Sequence, residues 1–322
     1  MSGAVNSALA SIGRLAPSPT GLLHLGHART FLVAWWLARQ DGALLRMRVE
    51  DLDTDRSATR FIDASLEDLA WLGLDWDGAP ILQSEGLSRL NAAVDSLLAR
   101  GLAYYCVCTR SDLRNSQTAP QQGDRELRYA GTCRGRFDSL EAARRASGRE
   151  PGVRLIVPEG PVSIEDGILG TVTNDVASEV GDFSIARRGG QPAYQLAVVV
   201  DDHAEGVTDV VRGADLLSSA ARQWHVRRAL GLPEPRYFHV PLVLDAEGRR
   251  LAKRADDLSL RELREGGTDP RAIVAWAAKS SGLTVPDRVT PREALAAFDL
   301  ERLPRSPVKL SASTLQALRD AR

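Results

Sequence analysis

The chain has 322 residues, of which 43% are hydrophobic and 26% charged, with a formal net charge of -1 at pH 7. This composition is typical of a globular protein and excludes a globally basic nucleic-acid-binding surface. Any contact with RNA therefore requires a local basic patch, for which Arg222, Arg227 and Arg228 on one candidate helix are available.

The apolar runs, the N-terminal residues and the cysteines bear on the cellular location of the protein. No apolar run approaches the roughly 20 residues of a membrane-spanning helix, so we expect no membrane partner. The first twelve residues lack a basic segment, which favours a disordered tail over a signal peptide. Three cysteines, all between positions 106 and 133, argue against a disulfide framework and predict a reducing, cytoplasmic location.

The first predicted element is a helix that follows a proline-rich stretch, residues 14–29. The Ala-rich run from Ala28 to Ala38 predicts the helix, and His24 and His27 lie on one face at its beginning. Gly26 between them lacks a side chain, so a flat or bulky group can approach the backbone closely. A helix N-terminus with two histidines suits a nucleotide triphosphate, although an ordinary turn with two surface histidines is the alternative.

Acidic residues follow the next predicted element. Ala43 to Val49 predicts a strand, and a helix is expected from Arg60 to Leu72. Acidic residues just past a strand suit the ligand crevice of an open α/β sheet. Glu50 is the better ligand candidate, because Asp53 and Asp55 are equally explained as caps of the following helix.

The composition of the sequence changes after Tyr104. A Cys-x-Cys pair precedes a polar loop at 115–124, and Leu140 to Ala146 predicts an exposed helix with Ser139 as its N-cap. We interpret 106–182 as an insertion between two halves of a nucleotide-binding domain.

The second half begins with an apolar run. Leu196 to Val200 predicts a parallel strand buried on both faces. Val210 to Asp215 leads into a helix that is expected to end at Leu230, before Gly231. Tyr237 to Leu244 is the next predicted strand, and a mostly helical piece is expected from Pro270 onward.

Several stretches together resemble one family. The stretch Arg-x-Ala-Pro-Ser-Pro-Thr-Gly followed by His-x-Gly-His, at 14–27, resembles the first signature of the class I glutamyl-tRNA synthetase family. Residues 195–203 and 211–216 are similar to its central motifs. Cys106-x-Cys108 with Tyr129-x-x-x-Cys133 resembles the zinc site of the subfamily that modifies queuosine in tRNA(Asp). Since only a short segment follows 250–254, we expect no anticodon-binding region of the kind that a full-length glutamyl enzyme has.

The resemblance implies an α/β fold, a Rossmann-type parallel sheet of the class I catalytic domain with a zinc-binding insertion and a short helical C-terminal segment. The expected organisation is a tail at 1–12, Rossmann halves at 13–105 and 183–245, the insertion at 106–182, and the signature loop with the helical segment at 246–322.

The expected amino acid pocket must hold two carboxylates and one ammonium group. An arginine can hold a carboxylate with two parallel N–H bonds, although a single surface arginine is more often a solvated charge. The resemblance implies that Arg14 faces the glutamate side chain and Glu50 the ammonium, and that the remaining contacts come from Ala16, Ser18, Tyr194 and Arg212. Glutamine is expected to be rejected, because its amide cannot neutralise an arginine.

ATP is expected to lie at the start of the first helix. The resemblance implies phosphate contacts from His24, Gly26, His27 and Lys253, with His24, His27 and Lys253 serving catalysis. The family's second signature reads Lys-Leu-Ser-Lys, whereas this chain has Arg250-Leu-Ala-Lys253. The change to arginine keeps the charge, whereas Ala252 lacks the hydroxyl and its role stays open. Mg²⁺ is expected with ATP, without a dedicated protein site.

The three cysteines predict one structural zinc ion per chain. Three thiolates with a fourth ligand form a closed zinc site, and the resemblance implies ligation by Cys106, Cys108, Tyr129 and Cys133. Asp112, Asp124 or a water remains an alternative fourth ligand, and three incidental thiols are the alternative to a metal site.

The expected activity is the ATP-dependent activation of L-glutamate to glutamyl-adenylate. The resemblance implies transfer of the glutamate to the queuosine base at the wobble position of tRNA(Asp) by a monomeric ligase. One alternative is a truncated glutamyl-tRNA synthetase that charges a tRNA 3′ end. The other is a non-catalytic paralogue that binds glutamate or tRNA.

Overall fold

A computed structural model describes residues 11–53, 58–115, 128–251 and 259–322. Its largest feature is a seven-stranded sheet, in which strands of both halves of the chain meet. Its strands are β1 (Ile12–Leu15), β2 (Leu44–Val49), β3 (Ile81–Leu82), β6 (Val162–Asp166), β7 (Gly170–Asn174), β9 (Asp209–Gly213) and β10 (Arg236–Val240).

The order of strands across this sheet is β3-β2-β1-β9-β10-β6-β7. All neighbours are parallel except β6 and β7, which are antiparallel. The chain proceeds from β1 outward to β3 on one side, and from β9 to β10 on the other. The strand order therefore reverses between β1 and β9, and ligands of doubly wound sheets bind at the carboxyl ends of the strands at such a point.

Helices α1 (Leu25–Gln40) and α8 (Leu217–Leu230) pack on strands of this sheet. The two halves of the chain also contain α2 (Thr59–Trp71), α3 (Leu87–Ala99) and α7 (Tyr194–Ala204). Helix α1 is enclosed on nearly all sides, and its Trp35 and Trp36 are buried in the main core. The predicted helices at 28–38 and 60–72 and the predicted strand at 43–49 are confirmed to within a few residues.

A smaller sheet lies beside the first. It is antiparallel and consists of β4 (Ala103–Cys106), β5 (Gly152–Leu155) and β8 (Ser184–Ala186). The helices α4 (Arg110–Asn115), α5 (Leu140–Ser147) and α6 (Val176–Glu179) belong to the same region. Ser139 caps α5 as predicted, because its hydroxyl accepts from the Ala142 amide. Segment 106–182 thus supplies strands to both sheets.

The C-terminal part is mostly helical, as predicted. It contains α9 (Leu260–Glu265), α10 (Pro270–Ser280), α11 (Pro291–Leu295) and α12 (Ala312–Asp320), with the short pair β11 (Val243–Leu244) and β12 (Val308–Lys309). Helix α10 packs on α1. None of the described helices has the length and apolar character that crossing a bilayer requires.

The prediction of a strand at Leu196 to Val200 is wrong, because these residues form the middle of α7. All five are buried, since α7 packs against α3, α8 and β8. A helix enclosed on all sides has the same continuous apolar run as a buried strand, so the pattern alone does not separate them.

Two further predictions require correction. The single strand expected at Tyr237 to Leu244 is two strands, β10 and β11, separated at Pro241, whose nitrogen cannot donate to a sheet. Arg227 does not belong to the basic patch predicted on α8, because this residue is only 2% exposed. This guanidinium faces Asp202 with its Nη2 at 3.5 Å, so it is part of the core and not of a surface for RNA.

Candidate active site

A cavity of about 420 Å³ lies at the carboxyl ends of β1 and β9, where the strand order reverses. Its lining includes every residue that the sequence assigned to glutamate or ATP within the described part of the chain: Arg14, Ala16, Ser18, His24, Gly26, His27, Glu50, Tyr194 and Arg212. Lys253 and Ala252 lie outside the described residues. The sequence therefore located one common site, whereas the role of each residue stays a prediction.

A buried carboxylate, that of Asp202, lies behind the wall of the cavity and pairs with three arginines. Asp202 of α7 lies 2.8 Å from Nη2 of Arg48 and 3.5 Å from Nε of Arg14. Arg227 of α8 approaches its other oxygen. Burial opposes ionisation of Asp202, but the three guanidiniums hold the pKa of this carboxyl below its ordinary value. Arg14 also donates from Nη1 to the carbonyl of Val211 at 2.7 Å, so its side chain is held in place.

Glu50 presents a second carboxylate, at the end of β2. Its Oε1 lies 3.4 Å from Nη2 of Arg48, and Ser18 donates its hydroxyl to Oε2 at 3.3 Å. Burial raises the pKa of Glu50 in spite of the nearby Arg48 and Arg14. A cation placed beside this group would favour its ionised form, so the position suits an ammonium group.

Arg212 of β9 is held by neutral acceptors. Its Nε donates to Nε2 of His239 at 3.0 Å and its Nη1 to Oε1 of Gln223 at 2.7 Å. Its Nη2 is buried without a hydrogen-bond partner. Among the described residues, no carboxylate lies within ion-pair distance of this guanidinium. A buried cation with an unused donor is a suitable site for a carboxylate.

The two histidines form a reciprocal cap at the start of α1. Nδ1 of His24 accepts from the amides of Gly26 and His27, and Nδ1 of His27 accepts from the amide of His24. The rings stack with their centroids 3.7 Å apart. Because a neutral imidazole that accepts at Nδ1 carries its proton at Nε2, each ring has an Nε2–H donor.

Gly26 has a second reason for lacking a side chain, beside the close approach to the backbone that the sequence suggested. A Cβ at this position would lie 3.0 Å from Cε1 and 3.1 Å from Nδ1 of His24. The space is therefore occupied by the capping ring of His24, although Gly26 still lines the cavity.

The described residues on either side of 252–258 border the cavity. Arg250 forms a 2.6 Å ion pair with Asp215, and Leu251 lines the wall. On the other side of the gap, Ser259 pairs with His24 in an antiparallel bridge. The described residues on both sides of 252–258 thus lie next to the site.

The three cysteines form a cluster with Tyr129, and their sulfurs all lie within 4.8 Å of one another. Sγ of Cys108 is 3.5 Å from Sγ of Cys133, and Oη of Tyr129 is 3.5 Å from Sγ of Cys106 and 3.9 Å from Sγ of Cys108. Around tetrahedral zinc, two sulfurs lie about 3.8 Å apart and a sulfur and an oxygen about 3.5 Å. The three-cysteine cluster is therefore compatible with a zinc ion, and the Tyr129 oxygen lies at a sulfur–oxygen distance that such a site would have.

Further hydrogen bonds reach the cluster. The amide of Cys133 donates to Oη of Tyr129 at 2.8 Å, and Nε of Arg154 donates to Sγ of Cys106 at 3.3 Å. Burial opposes the thiolate, but the Tyr129 hydroxyl and Arg154 lower the pKa of Cys106. Asp112 bonds to Thr109 and Arg149 instead, and Asp124 lies outside the described residues.

Sequence reasoning missed the residues that support the site from behind. Asp202, Gln223 and His239 are buried polar side chains. Asp202 lies in the motif at 195–203 but received no role there, and no motif included Gln223 or His239. Their burial indicates specific partners.

Comparisons with known proteins agree with this geometry. The family model described as "tRNA synthetases class I (E and Q), catalytic domain" matches residues 12–316. The chain therefore belongs to the family of class I tRNA synthetases for glutamate and glutamine. It is 42% identical to the glutamyl-Q tRNA(Asp) synthetase of Nitratidesulfovibrio vulgaris, over 95% of this chain and 98% of that protein.

Other relatives extend the comparison. The chain is 46% identical to the glutamyl-Q tRNA(Asp) synthetase of Nocardia farcinica, over 92% of this chain and 91% of that one. It is 40% identical to the glutamate–tRNA ligase of Nitrosospira multiformis, over 95% of this chain but 65% of that protein. The solved glutamate–tRNA synthetase of Elizabethkingia anophelis superposes with a TM-score of 0.79 at 25% identity, covering 96% of this chain and 70% of that chain.

The histidine cap predicts a coupling between Gly26 and His24. Alanine in place of glycine in a helix adds about 0.5–1 kcal/mol of stability. We expect that gain from Gly26→Ala only when His24→Ala has removed the ring, because in the wild type the new methyl crowds the ring whose cap is worth about 1 kcal/mol. Denaturant unfolding of the two single variants and the double variant measures the coupling. Equal effects in both backgrounds would contradict the role of His24 in excluding a side chain.

Proposed function

We propose that this enzyme activates L-glutamate with ATP and transfers the glutamate to the queuosine base at the wobble position of tRNA(Asp). The observation that carries the proposal is the single cavity at the strand-order reversal, which combines two buried arginines, a buried glutamate and a helix start with two histidines. The names of the relatives that match over nearly their whole length support the same activity.

The charges of the cavity fit L-glutamate. Arg14 would hold the side-chain carboxylate, and Nη2 of Arg212, which has no partner in the protein, would donate to the same carboxylate. Glu50 would pair with the ammonium group. Tyr194 completes the wall, and burial raises the pKa of its phenol, so at neutral pH this group acts as a hydrogen-bond donor without adding negative charge.

The first chemical step joins glutamate to AMP. A carboxylate oxygen of glutamate attacks the α-phosphorus, the bond to the bridging oxygen of the β-phosphate breaks, and pyrophosphate leaves. The protein contributes orientation and charge stabilisation. The Nε2–H groups of His24 and His27 would donate to the phosphates, Lys253 would neutralise the pyrophosphate, and bound Mg²⁺ would supply further positive charge.

The second step passes glutamate to RNA. A ring hydroxyl of the queuosine base attacks the activated carbonyl, an ester forms, and AMP leaves with its phosphate oxygen. No base for this hydroxyl is assigned among the described residues. We further propose that the enzyme acts as a monomer in the cytoplasm.

We also propose that zinc is bound by Cys106, Cys108, Cys133 and Tyr129 and has a structural function. The ligands lie in the region of the small sheet, away from the residues that line the cavity. Zinc would fix the chain between β4 and α5, whose hydrophobic cluster is small.

The RNA substrate is tested with tRNA prepared from cells that make queuosine and from cells that do not. We expect labelled glutamate to be transferred only to the queuosine-containing tRNA. Label on both preparations would identify an enzyme that charges tRNA 3′ ends. No label, together with no exchange between ATP and pyrophosphate, would leave a glutamate- or tRNA-binding protein.

The substitution Arg212→Gln tests the amino acid pocket. A hydrogen bond to a charged group contributes about 1.5–3 kcal/mol, so we expect the KM for glutamate to rise about tenfold to a hundredfold. Discrimination against glutamine should fall, since the buried cation is gone. Arg100→Gln is the matched control, because that arginine is exposed on α3's end. An unchanged KM for glutamate in Arg212→Gln would remove Arg212 from the pocket.

Metal analysis tests the zinc site. We expect about one zinc per chain in protein purified without chelator, and almost none in Cys133→Ser. Tyr129→Phe should keep the fold but lose zinc at lower chelator concentration, whereas the control Tyr105→Phe should not. Less than about half an equivalent in the wild type would contradict the site, and a wild-type chelator profile in Tyr129→Phe would exclude the phenolate as a ligand.

A further inference from the structure

We propose that Asp166 and His239 are a positioning pair, which holds Arg212 in place through a neutral acceptor and thereby makes the pocket select a carboxylate. The inference rests on the proposed glutamate activation. It assigns a specificity-determining function to two buried residues that do not line the cavity.

The three side chains form a chain of hydrogen bonds across neighbouring strands. His239 of β10 is the register partner of Arg212 of β9. Nε of Arg212 donates to Nε2 of His239 at 3.0 Å, and Nδ1 of His239 lies 2.6 Å from Oδ2 of Asp166. Because Nε2 accepts from a guanidinium, the imidazole proton must be on Nδ1, which donates to Asp166.

The carboxylate at the end of this chain is itself fixed. Oδ1 of Asp166 accepts from the amides of Ile168 at 3.0 Å and Leu169 at 2.8 Å, and the amide of His239 donates to Oδ2 at 3.1 Å. The side chains of Asp166 and His239 are both fully buried. The imidazole is therefore held in one tautomer and one orientation, which leaves its Nε2 lone pair aimed at Arg212.

The groups around His239 keep it neutral. Burial lowers its pKa, and so do the positive charges of Arg212 and Arg14, whereas Asp166 acts in the opposite direction. The ring of Tyr237 stacks on the imidazole with centroids 5.9 Å apart. A protonated His239 would have no lone pair for Arg212 and would repel it.

A neutral acceptor has a consequence that a carboxylate would not have. Arg48 faces the carboxylates of Asp202, Glu50 and Glu205, so its charge is compensated inside the protein. Arg212 has His239 and Gln223 as acceptors and keeps its charge for the ligand. A substrate with an amide in place of the carboxylate leaves that buried charge unpaired, which is costly.

Two substitutions of His239 separate positioning from simple packing. In His239→Gln, the amide oxygen reaches the position of Nε2 and can accept from Arg212. In His239→Asn, the shorter side chain reaches only the position of Nδ1. We expect the KM for glutamate in ATP–pyrophosphate exchange to rise about tenfold to a hundredfold in His239→Asn, with the KM for ATP unchanged, and to return most of the way in His239→Gln.

Two control measurements separate a loss of glutamate binding from a loss of folding. Thermal unfolding without substrates identifies folded variants, and calorimetric titration with glutamate measures binding without chemistry. Equal effects of the two substitutions, or a parallel rise in the KM for ATP, would overturn the inference. If His239→Asn does not fold, Asp166→Asn replaces it. That variant frees the imidazole and should raise the KM for glutamate severalfold, and no change would overturn the inference.

Failure of the underlying activity is distinguishable from failure of the pair. A wild type that neither exchanges pyrophosphate nor binds glutamate contradicts the proposed function and the inference with it. If the wild type is active and His239→Asn leaves the KM and the binding constant for glutamate unchanged, only the inference is contradicted.

Discussion

One buried carboxylate, Asp202, connects the two halves of the molecule beneath the cavity. Arg14 and Arg48 reach it from β1 and β2 of the first half, and Arg227 reaches it from α8 of the second. Removing one partner of such a buried group leaves uncompensated charge, which costs about 3–5 kcal/mol. The positions of Arg14 and of Glu50, two residues beyond Arg48, therefore depend on a residue of α7 that never touches the cavity.

Arg48 and Arg212 are both buried at the site, but the acceptors that surround them differ in charge. Arg48 is fully buried among carboxylates, and burial is outweighed by Asp202, Glu50 and Glu205, which raise its pKa well above the ordinary value. Arg212 is nearly as buried, yet its acceptors are an imidazole and an amide. Arg48 thus stabilises the fold, whereas Arg212 is available to bind a ligand.

The sequence predicted the parts of the fold and of the site that depend on local pattern. Helix α1 and strand β2 follow from short-range periodicity, and the candidate residues at 14–27, 50 and 212 were found because unusual residue types form recognisable motifs. The contact between Asp166 and His239 spans 73 positions and depends on strand order, which no local pattern encodes. Helix α7 was predicted as a strand because complete burial removes the periodicity that separates the two.

Strand β6 has a consequence for how this protein can be altered. It lies within the segment 106–182 and yet pairs with β10, where Asp166 opposes Tyr237. An engineer who excised that segment as a cassette, or exchanged it with a relative's, would remove the residue that orients the imidazole behind Arg212. Recombination points that keep amino acid selection intact must therefore spare Val162–Asn174, so the segment that carries the cysteines cannot be exchanged freely as a module.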